Sequence, residues 1–438
     1  MDPLSVGIIG CIALVGLFFL GIPIGYSLGI VGFSGLTYLF GFEAALTFSV
    51  RRLHDFLASF TFTAIPLFVL MGYFALYSDL TKDAFTTARV WLSKIPGGLA
   101  SAVVVASALF AACSGTGIPA AAALGRIAVP EMLENKYDRG LATGVVAAAT
   151  PLAVLIPPSI TMIIFGILTE TSIARLLIAG IIPGIVAASI FIAGITLRAW
   201  RNPTLAPPYP GEISWTLRLK ELRKIWGILF LFFVVIGSIY LGLATPTEAA
   251  GFGAFGTLAL GIARRRLGMN EIKRSLYDSV IVCSTIFMII GMASIFNVFL
   301  TRTGVITALG TALVNLDLSP MGMLLIMSVF YIILGCFLDS ISMMIITIPI
   351  IYPLLVAMKI NLVWFGVIMT IYIEIASITP PFGITVYALK GALGDLVDLW
   401  DIFKGCFFFF WMWIIILAII LRFPQLSLWL PGLIKGSG

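Results

Sequence analysis

The sequence predicts an all-α polytopic membrane protein made of two inverted structural repeats. Each repeat is expected to contain spanning helices, a re-entrant helical hairpin and a proline-broken helix. Three observations predict this fold class. The composition is that of a chain solvated by lipid, Gly or Pro interrupts many apolar segments, and landmark residues recur at one spacing in the two halves.

The composition excludes a soluble core. The chain has 438 residues, of which 61% are hydrophobic and 11% charged, whereas soluble domains are about 45–50% apolar and about 25% charged. Mean hydropathy is +1.13. A membrane-spanning helix needs about 20 apolar residues, so the length allows about a dozen spans or half-spans. A single soluble core would leave too little polar surface to stay in solution.

Charge and cysteine usage indicate the bilayer, and neither nucleic acid nor a transition metal. The net charge is +6, and the basic residues lie in short loops, as the positive-inside rule predicts for cytoplasmic loops. The five cysteines are scattered through apolar stretches, which predicts neither a disulfide framework nor a metal site. The first apolar stretch lacks a basic leader, so we interpret it as a retained helix.

The most polar stretch, 198–224, divides the chain. It contains six basic residues and several prolines, and we expect a cytoplasmic linker with a surface helix over 215–224. The basic loop 264–274 follows after two spans, so both loops should lie on the cytoplasmic side. The predicted organisation is an N-terminal repeat over 1–197, the linker, and a C-terminal repeat over 225–438.

Prolines recur at one offset in the two halves. Pro23 and Pro246 are 223 residues apart, as are Pro130 and Pro353, and the double prolines at 157–158 and 380–381. An internal repeat with interrupted apolar segments is typical of secondary transporters. An odd number of full spans in each half would invert the second half relative to the first.

Each repeat should hold one hairpin and one broken helix. The hairpins are expected at about 97–133 and 320–357, and the broken helices at about 141–168 and 363–391. Broken helices leave backbone groups unpaired, which is tolerated at membrane depth only inside protein or beside an aqueous cavity. A plain kink in a packed helix is the alternative for each double proline. The occurrence of the double proline at one offset in both halves favours a pair of related half-sites.

The hairpin tips and proline breaks are the candidate binding elements. Hydroxyl groups beside free carbonyls suit a hard cation such as sodium, and amides at half-helix N-termini suit an anion. We therefore expect substrate binding at the following residues: Ser114, Thr116, Pro158, Ser159, Asp339, Ser340 and Pro381.

Two acidic residues lie deep in apolar segments. A carboxylate at mid-membrane is costly and needs a compensating role. For Asp339, one interpretation is a role at the site: it caps the second arm of the hairpin or strengthens the electric field at a cation site. The other interpretation is a plain helix N-cap. The two are compatible. For Glu374, we favour a contact to a helix of the same or a partner subunit over a role as ion ligand.

An enzyme is not expected. The only histidine, His54, lies in a loop beside two arginines, so Ser114 lacks a general base for hydrolase chemistry. The sequence contains no HExxH motif and no phosphate-binding loop. No cofactor is predicted.

Several motifs carry a family resemblance. They are IPLFVLMG at 65–72, PGGLA at 96–100, SGT at 114–116, LIPPSI at 155–160, TPTEAA at 245–250 and TPP at 379–381. Together they resemble the large membrane subunit of tripartite ATP-independent periplasmic (TRAP) transporters, over essentially the whole chain. The resemblance implies a multi-pass protein of the bacterial inner membrane, with a scaffold and a mobile transport region that moves as an elevator.

The resemblance also implies partners and ligands. The partners are a separate small membrane subunit of about four helices and a periplasmic substrate-binding protein. Uptake of an organic anion would be coupled to sodium. The family's two sodium sites match the following residues: Ser114, Gly117, Ala153, Ile156 and Pro157 in the first, and Gly335, Ala376, Thr379 and Phe382 in the second.

The chain departs from the family pattern in places. Relatives often have Ser at Gly117, and Gly at Ala153 and Ala376, which puts one hydroxyl ligand at Gly117 in doubt. Arg126 in the second arm of the first hairpin is unusual. We favour snorkelling to the interface over a contact to an acidic substrate.

Three alternative functions stay open at this point. They are a stand-alone ion-coupled anion carrier or exporter without a binding protein, an intramembrane hydrolase with Ser114 as nucleophile, and a passive channel. The sequence does not name the anion: sialic acid, C4-dicarboxylates, other sugar acids and sulfonates all remain candidates.

Overall fold

A computed structural model describes residues 1–115, 117–208, 214–314, 318–335, 337–381 and 383–434. Over these residues the secondary structure is helical, without a strand. Five helices are long and apolar enough to cross a membrane, or up to seven when each of two bent helix pairs counts as one span. Five shorter apolar helices accompany them. The described residues therefore form an all-α, multi-pass membrane fold.

The helices of the first half run from the N-terminus to Arg201. Their bounds are α1 (Pro3–Phe19), α2 (Ile24–Phe40), α3 (Phe42–Ala58), α4 (Ala64–Tyr77), α5 (Leu80–Leu92), α6 (Gly98–Ser114), α7 (Gly117–Glu134), α8 (Arg139–Ala149), α9 (Leu152–Leu155), α10 (Ile160–Leu168), α11 (Ile173–Ala179) and α12 (Ile181–Arg201). A 3₁₀ turn, Phe60–Thr63, precedes α4.

The helices of the remaining chain begin in the linker. Their bounds are α13 (Trp215–Leu222), α14 (Trp226–Tyr240), α15 (Pro246–Ala263), α16 (Met269–Thr303), α17 (Val305–Val314), α18 (Pro320–Gly335), α19 (Ser340–Ala357), α20 (Leu362–Ser377), α21 (Ile384–Leu393), α22 (Leu399–Arg422) and α23 (Gln425–Gly432). A 3₁₀ turn, Gly394–Leu396, follows α21. The predicted surface helix of the linker is thus present as α13.

Helix bounds recur in the two halves. Adding the spacing of the prolines, 223 residues, to α7 gives 340–357, the range of α19. The same shift takes α6 close to α18, and α8–α9 close to α20. The long helix α16 corresponds to α3 and α4 together. The order of elements is therefore repeated, and the helices that occupy the expected hairpins are α6–α7 and α18–α19.

Caps and prolines explain the breaks between helices. Ser159 accepts a hydrogen bond from the Met162 amide at 3.3 Å and begins α10, and Asn361 accepts from Val363 N at 2.9 Å to begin α20. The Pro157–Pro158 and Pro380–Pro381 bonds are both cis. Because proline has no amide hydrogen, neither break can be bridged by a continuous helix. The pair α8–α9 and α10 is bent by 45°.

The helices pack into two groups. One, which we call the hairpin group, contains both hairpins, the broken helices α8–α10 and α20–α21, and α12 and α22. The other, which we call the α2/α4/α16 group, contains α1–α4 and α14–α16. The closest crossing inside the hairpin group joins the two halves: a Cβ on Gly405 of α22 would lie 1.9 Å from the carbonyl oxygen of Gly140 of α8. Only glycine allows the two backbones to approach this closely.

The two basic loops meet at one end of the molecule. Arg264 Nη2 donates to the carbonyl of Lys224 at 3.0 Å. Arg264 and Arg266 both bind Asp83 Oδ2, at 3.2 and 2.9 Å. This contact agrees with the expectation that the linker and the 264–274 loop lie on the same side.

Candidate functional site

A cavity of about 520 Å³ lies between the two helix groups. On one side it is bounded by α4, α16 and the start of α2. On the other it is bounded by both hairpin tips and both broken helices. Its wall is mostly apolar, with a small number of hydroxyl and carboxylate groups. Such a wall is typical of small-molecule sites, in which a few polar groups fix the orientation of the ligand.

At the first half-site, the hairpin tip rests on the proline break. The amide of Ile160 donates to the carbonyl of Gly115 at 3.3 Å. Gly115 has a φ of +63°, and a Cβ there would lie 2.9 Å from the Pro158 carbonyl oxygen. Gly72 of α4 packs equally closely on Ser114, since its Cβ would lie 2.9 Å from the Ser114 carbonyl oxygen. Glycine is needed at both positions to let the tip lie between α4 and the break.

At the second half-site, the first arm of the hairpin packs on the broken helix. A Cβ on Gly335 would lie 2.1 Å from Ala376 Cβ, so the two backbones nearly touch. Thr379 Oγ1 donates to the Ile375 carbonyl at 2.6 Å, and the Gly383 amide donates to the Thr379 carbonyl at 3.1 Å. The chain is therefore unwound but still hydrogen-bonded at its break.

Four helix N-termini converge on the cavity. They are the first residues of α7, α10, α19 and α21: Gly117, Ile160, Ser340 and Ile384 all line it. The N-terminus of a helix carries about half a positive elementary charge together with unpaired amide donors. Their convergence makes the cavity suitable for an anion.

Some of the expected site residues line this cavity and others do not. Those that line it are Ser114, Gly117, Asp339 and Ser340. Those that lie at the tips or breaks behind its wall are Ala153, Ile156, Pro157, Pro158, Ser159, Gly335, Ala376, Thr379 and Pro381. Thr116 and Phe382 fall outside the described residues. Ile156 extends away from the cavity, because a Cβ on Gly184 of α12 would lie 2.3 Å from its Cγ1.

Both interpretations of Asp339 fit its position. Its carboxylate accepts from the amides of Ile341 and Ser342 at 3.1 and 3.2 Å and caps α19. Ser342 Oγ donates to the same carboxylate. Asp339 also lines the cavity. Hydrogen bonding at a helix N-terminus compensates its charge while leaving it beside the cavity.

Polar groups that sequence reasoning missed also line the cavity. Thr161 and Thr385 are the second residues of α10 and α21, and both are buried. Each is the second residue of the helix that follows a proline break, but they are 224 residues apart, so the repeat offset of 223 does not pair them. Ser377 and Glu374 line the cavity from one face of α20.

Two charged residues had expected surroundings: a contact to another helix for Glu374, and the membrane interface for Arg126. Glu374 lines the cavity, and the described residues include no hydrogen bond from another helix to its carboxylate. Arg126 is exposed and is absent from the described lining of the cavity. Its exposure fits the snorkelling interpretation.

Comparison with known proteins decides the family. The model described as "Tripartite ATP-independent periplasmic transporter, DctM component" matches residues 11–426. The chain belongs to this family. It is therefore the large membrane component of a TRAP transporter, and the predicted resemblance is confirmed. Because the family consists of transporters, the expectation that the chain is not an enzyme is confirmed as well.

Relatives of different stated cargo match at similar identity. The C4-dicarboxylate TRAP transporter large permease protein DctM of Pseudomonas aeruginosa is 31% identical, over 93% of this chain and 94% of its own. The sialic acid TRAP transporter large permease protein SiaM of Vibrio cholerae is 28% identical, over 97% and 98%.

The fold has a solved counterpart. The structure of the Alcanivorax borkumensis YdaH transporter, whose description notes an unusual topology, superposes with a TM-score of 0.60 over the whole of both chains at 14% identity. This likeness supports a transporter-type helical fold.

Proposed function

We propose that this chain is the large transmembrane subunit of a sodium-coupled, binding-protein-dependent importer of a small organic anion in the bacterial inner membrane. A periplasmic binding protein would deliver the anion, and a small four-helix membrane subunit would brace this chain. The observation that carries the anion proposal is the convergence of four helix N-termini on one cavity. Family membership supports the partners.

The anion binds between the two hairpin tips. Ser114, Ser340, Thr161 and Thr385 offer hydroxyl groups beside the helix N-termini, and all four line the cavity. Hydroxyl and amide donors fix a carboxylate without a basic side chain. Dicarboxylates, sialic acid, other sugar acids and sulfonates all carry such a group, so the binding protein sets much of the choice among them.

Sodium binds behind the tips, where the backbone is unwound. The first site uses the tip at Ser114 and Gly117 and the break at 153–157, and the second uses Gly335, Ala376 and Thr379. The close packing of Gly115 on Pro158 and of Gly335 on Ala376 supports these positions. A cation that binds there would fix each tip on its break and so prepare the anion site. By linkage, sodium and anion must raise each other's affinity by the same factor.

Transport proceeds by an elevator movement of inverted repeats. All the proposed ligands lie in the hairpin group, and the cavity lies between that group and the α2/α4/α16 group, although the two groups also touch directly, as at Gly72 and Ser114. The hairpin group therefore carries its cargo past a fixed scaffold. The repeated order of helices supports two structurally related halves, and the odd number of spans expected in each half would invert them.

Reconstitution in liposomes tests this function. The chain, its genomic small-subunit neighbour and the neighbouring binding protein are assembled with the ligand that stabilises that binding protein in thermal-shift assays. We expect concentrative uptake that requires all three proteins and an inward sodium gradient. Uptake by this chain alone would instead establish the stand-alone carrier. Downhill flux without sodium coupling would establish the channel.

A further inference from the structure

One carboxylate on the cavity wall lacks a compensating partner. Glu374 of α20 is 3% exposed and lines the cavity. Over the described ranges, no hydrogen bond reaches its carboxylate, and none of the ion pairs there includes it. The nearby hydroxyl of Ser377 donates to the backbone carbonyl of Glu374 at 2.8 Å. A buried carboxylate without a partner is strongly unfavourable, so the group either binds a proton or needs a positive charge beside it.

The orientation of α20 separates Glu374 from the second proposed sodium site. Successive residues of an α-helix turn by about 100°, so Ala376 lies roughly 200° from Glu374, whereas Ser377 returns to within about 60° of it. Ala376 packs against Gly335, away from the cavity. The side chains of Glu374 and Ser377 therefore share the face of α20 that lines the cavity, whereas the side chain of Ala376 faces the hairpin arm at Gly335.

The described lining of the cavity offers no positive side chain to balance this charge. Its described lining includes Asp339 and Glu374 but no Lys, Arg or His. Asp339 accepts hydrogen bonds from two amides and a hydroxyl at the start of α19, whereas Glu374 has no such donors. While Glu374 is ionised, an organic anion that enters the cavity would meet an uncompensated negative charge. A hard cation held by carboxylate and hydroxyl oxygens would remove this repulsion.

We propose that Glu374 and Ser377 hold an additional sodium ion on the cavity wall, between the Glu374 carboxylate and the bound anion. The hydroxyls of Thr161 and Thr385 line the same cavity. The ion is separate from those at the two proline breaks and contacts the anion directly. This inference rests on the proposed function, because it assumes anion cargo and sodium coupling.

The first experiment measures sodium binding without cargo. The full-length chain in nanodiscs is heated at increasing NaCl, with choline chloride holding ionic strength constant. We expect sodium to raise the melting temperature of the wild type. Glu374→Gln should be more stable than the wild type without sodium and should gain less from it, because its buried charge is gone. Glu134→Gln, which neutralises an exposed carboxylate at the end of α7, should behave like the wild type.

The second experiment measures coupling in the complete three-component system. In Glu374→Gln, half-maximal uptake should require at least about tenfold more sodium, since even indirect partners of metal ligands change affinity about 10–100-fold. The Hill coefficient for sodium should also fall. Glu374→Asp, which keeps the carboxylate, should retain the wild-type Hill coefficient with weaker affinity. This variant keeps the test decisive when Glu374→Gln does not fold.

The outcomes separate this inference from the proposed function. Sodium-independent uptake by the wild type would defeat the proposed coupling itself. Sodium-dependent wild-type uptake with an unchanged sodium curve in Glu374→Gln would overturn only the additional site. A variant that keeps its full sodium dependence but loses a dependence on external pH would overturn it in favour of a proton on Glu374.

Discussion

The two hairpins are equivalent in the repeat but are held in place by different means. In the first hairpin, α6 carries mostly small side chains and is buried along almost its whole length. In the second, α18 exposes one face, and its buried residues are Met323, Leu324, Met327, Ser328, Tyr331 and Gly335. The first hairpin is thus enclosed by other helices of the chain, whereas one face of the second is available to lipid or to a partner subunit.

Hydrogen bonds replace close packing in the second hairpin. Tyr331 Oη donates to Thr347 Oγ1 at 2.6 Å and joins the two arms. Tyr372 Oη of α20 donates to the Leu324 carbonyl at 2.8 Å, and its ring stacks on Tyr331 with centroids 5.3 Å apart. At the equivalent positions of the first hairpin and its broken helix stand Ala108 and Ala149.

This difference has a consequence for gating. Releasing the first hairpin would disturb close packing against several helices, whereas releasing the second breaks a few directional hydrogen bonds. Hydrogen bonds between helices in membranes contribute about 0.6 kcal/mol on average, and at most about 1.7 kcal/mol. We therefore expect the second hairpin to open more readily around the anion.

The largest expected effect tests the packing of the first hairpin. Ala106→Leu adds three carbons at a fully buried position of α6, and overpacking costs about 1–3 kcal/mol. The equivalent change in the second hairpin, Val329→Leu, lies at a 61% exposed position and should be nearly neutral. Thermal unfolding followed by size-exclusion chromatography compares them. Equal losses for both variants would contradict the difference between the hairpins.

The next prediction concerns the tyrosine network. Tyr331→Phe removes the bond to Thr347 and should destabilise the second hairpin by about 0.6–1.7 kcal/mol. Hydrogen–deuterium exchange should quicken in α18 and α19 while α6 and α7 stay unchanged. As a control, Tyr352→Phe alters a tyrosine of α19 for which the described residues show no hydrogen bond. Faster exchange in both hairpins would mean that they move as one unit.

A smaller effect is expected at the two cavity threonines. Thr161→Val and Thr385→Val each remove one hydroxyl at the start of a half-helix. Loss of one hydrogen bond, about 0.5–1.5 kcal/mol, weakens apparent anion affinity about 2–10-fold. Uptake kinetics of the reconstituted system measure this. Similar losses in both variants would indicate an anion that bridges the halves, and a loss in neither would exclude these hydroxyls as ligands.

The smallest effect should come from Gly117→Ser. A Cβ at Gly117 would lie 3.6 Å from its nearest neighbours, at the Thr150 carbonyl, Pro151 and Val154, so serine fits without repacking. The added hydroxyl should strengthen sodium binding at the first site by about twofold to fivefold. A sodium titration of uptake checks this. Weaker sodium affinity would place the first site away from the hairpin tip.

The breaks between helices could be predicted from the sequence because they have local causes. The double prolines and the glycines at the tips are local causes of helix breaks, and the helices of the two hairpins, which run from 98 to 134 and from 320 to 357, lie close to the expected ranges 97–133 and 320–357. The sides that face the cavity could not be predicted. Thr370, Glu374 and Ser377 recur at helical spacing and give α20 one polar face, but this spacing does not indicate that the face meets a cavity.

The tyrosine network escaped prediction for a similar reason. Tyr331 and Tyr372 are separated by 41 positions in the sequence, and only the packing of α18 on α20 brings their rings together. Neither residue recurs at the equivalent position of the first half, so the repeat gave no signal. The threonines after the proline breaks are 224 residues apart, so the offset of 223 aligns Thr161 with Ile384, and only the helix starts seen in the structure relate the two.

The most direct test is a cryo-EM structure of the assembled transporter in nanodiscs, with sodium and the ligand of its binding protein. Our account predicts density for the anion in the cavity between the hairpin tips, within hydrogen-bonding distance of Thr161 or Thr385. An anion bound outside this cavity, or a cavity that stays empty at ligand concentrations that saturate uptake, would contradict it.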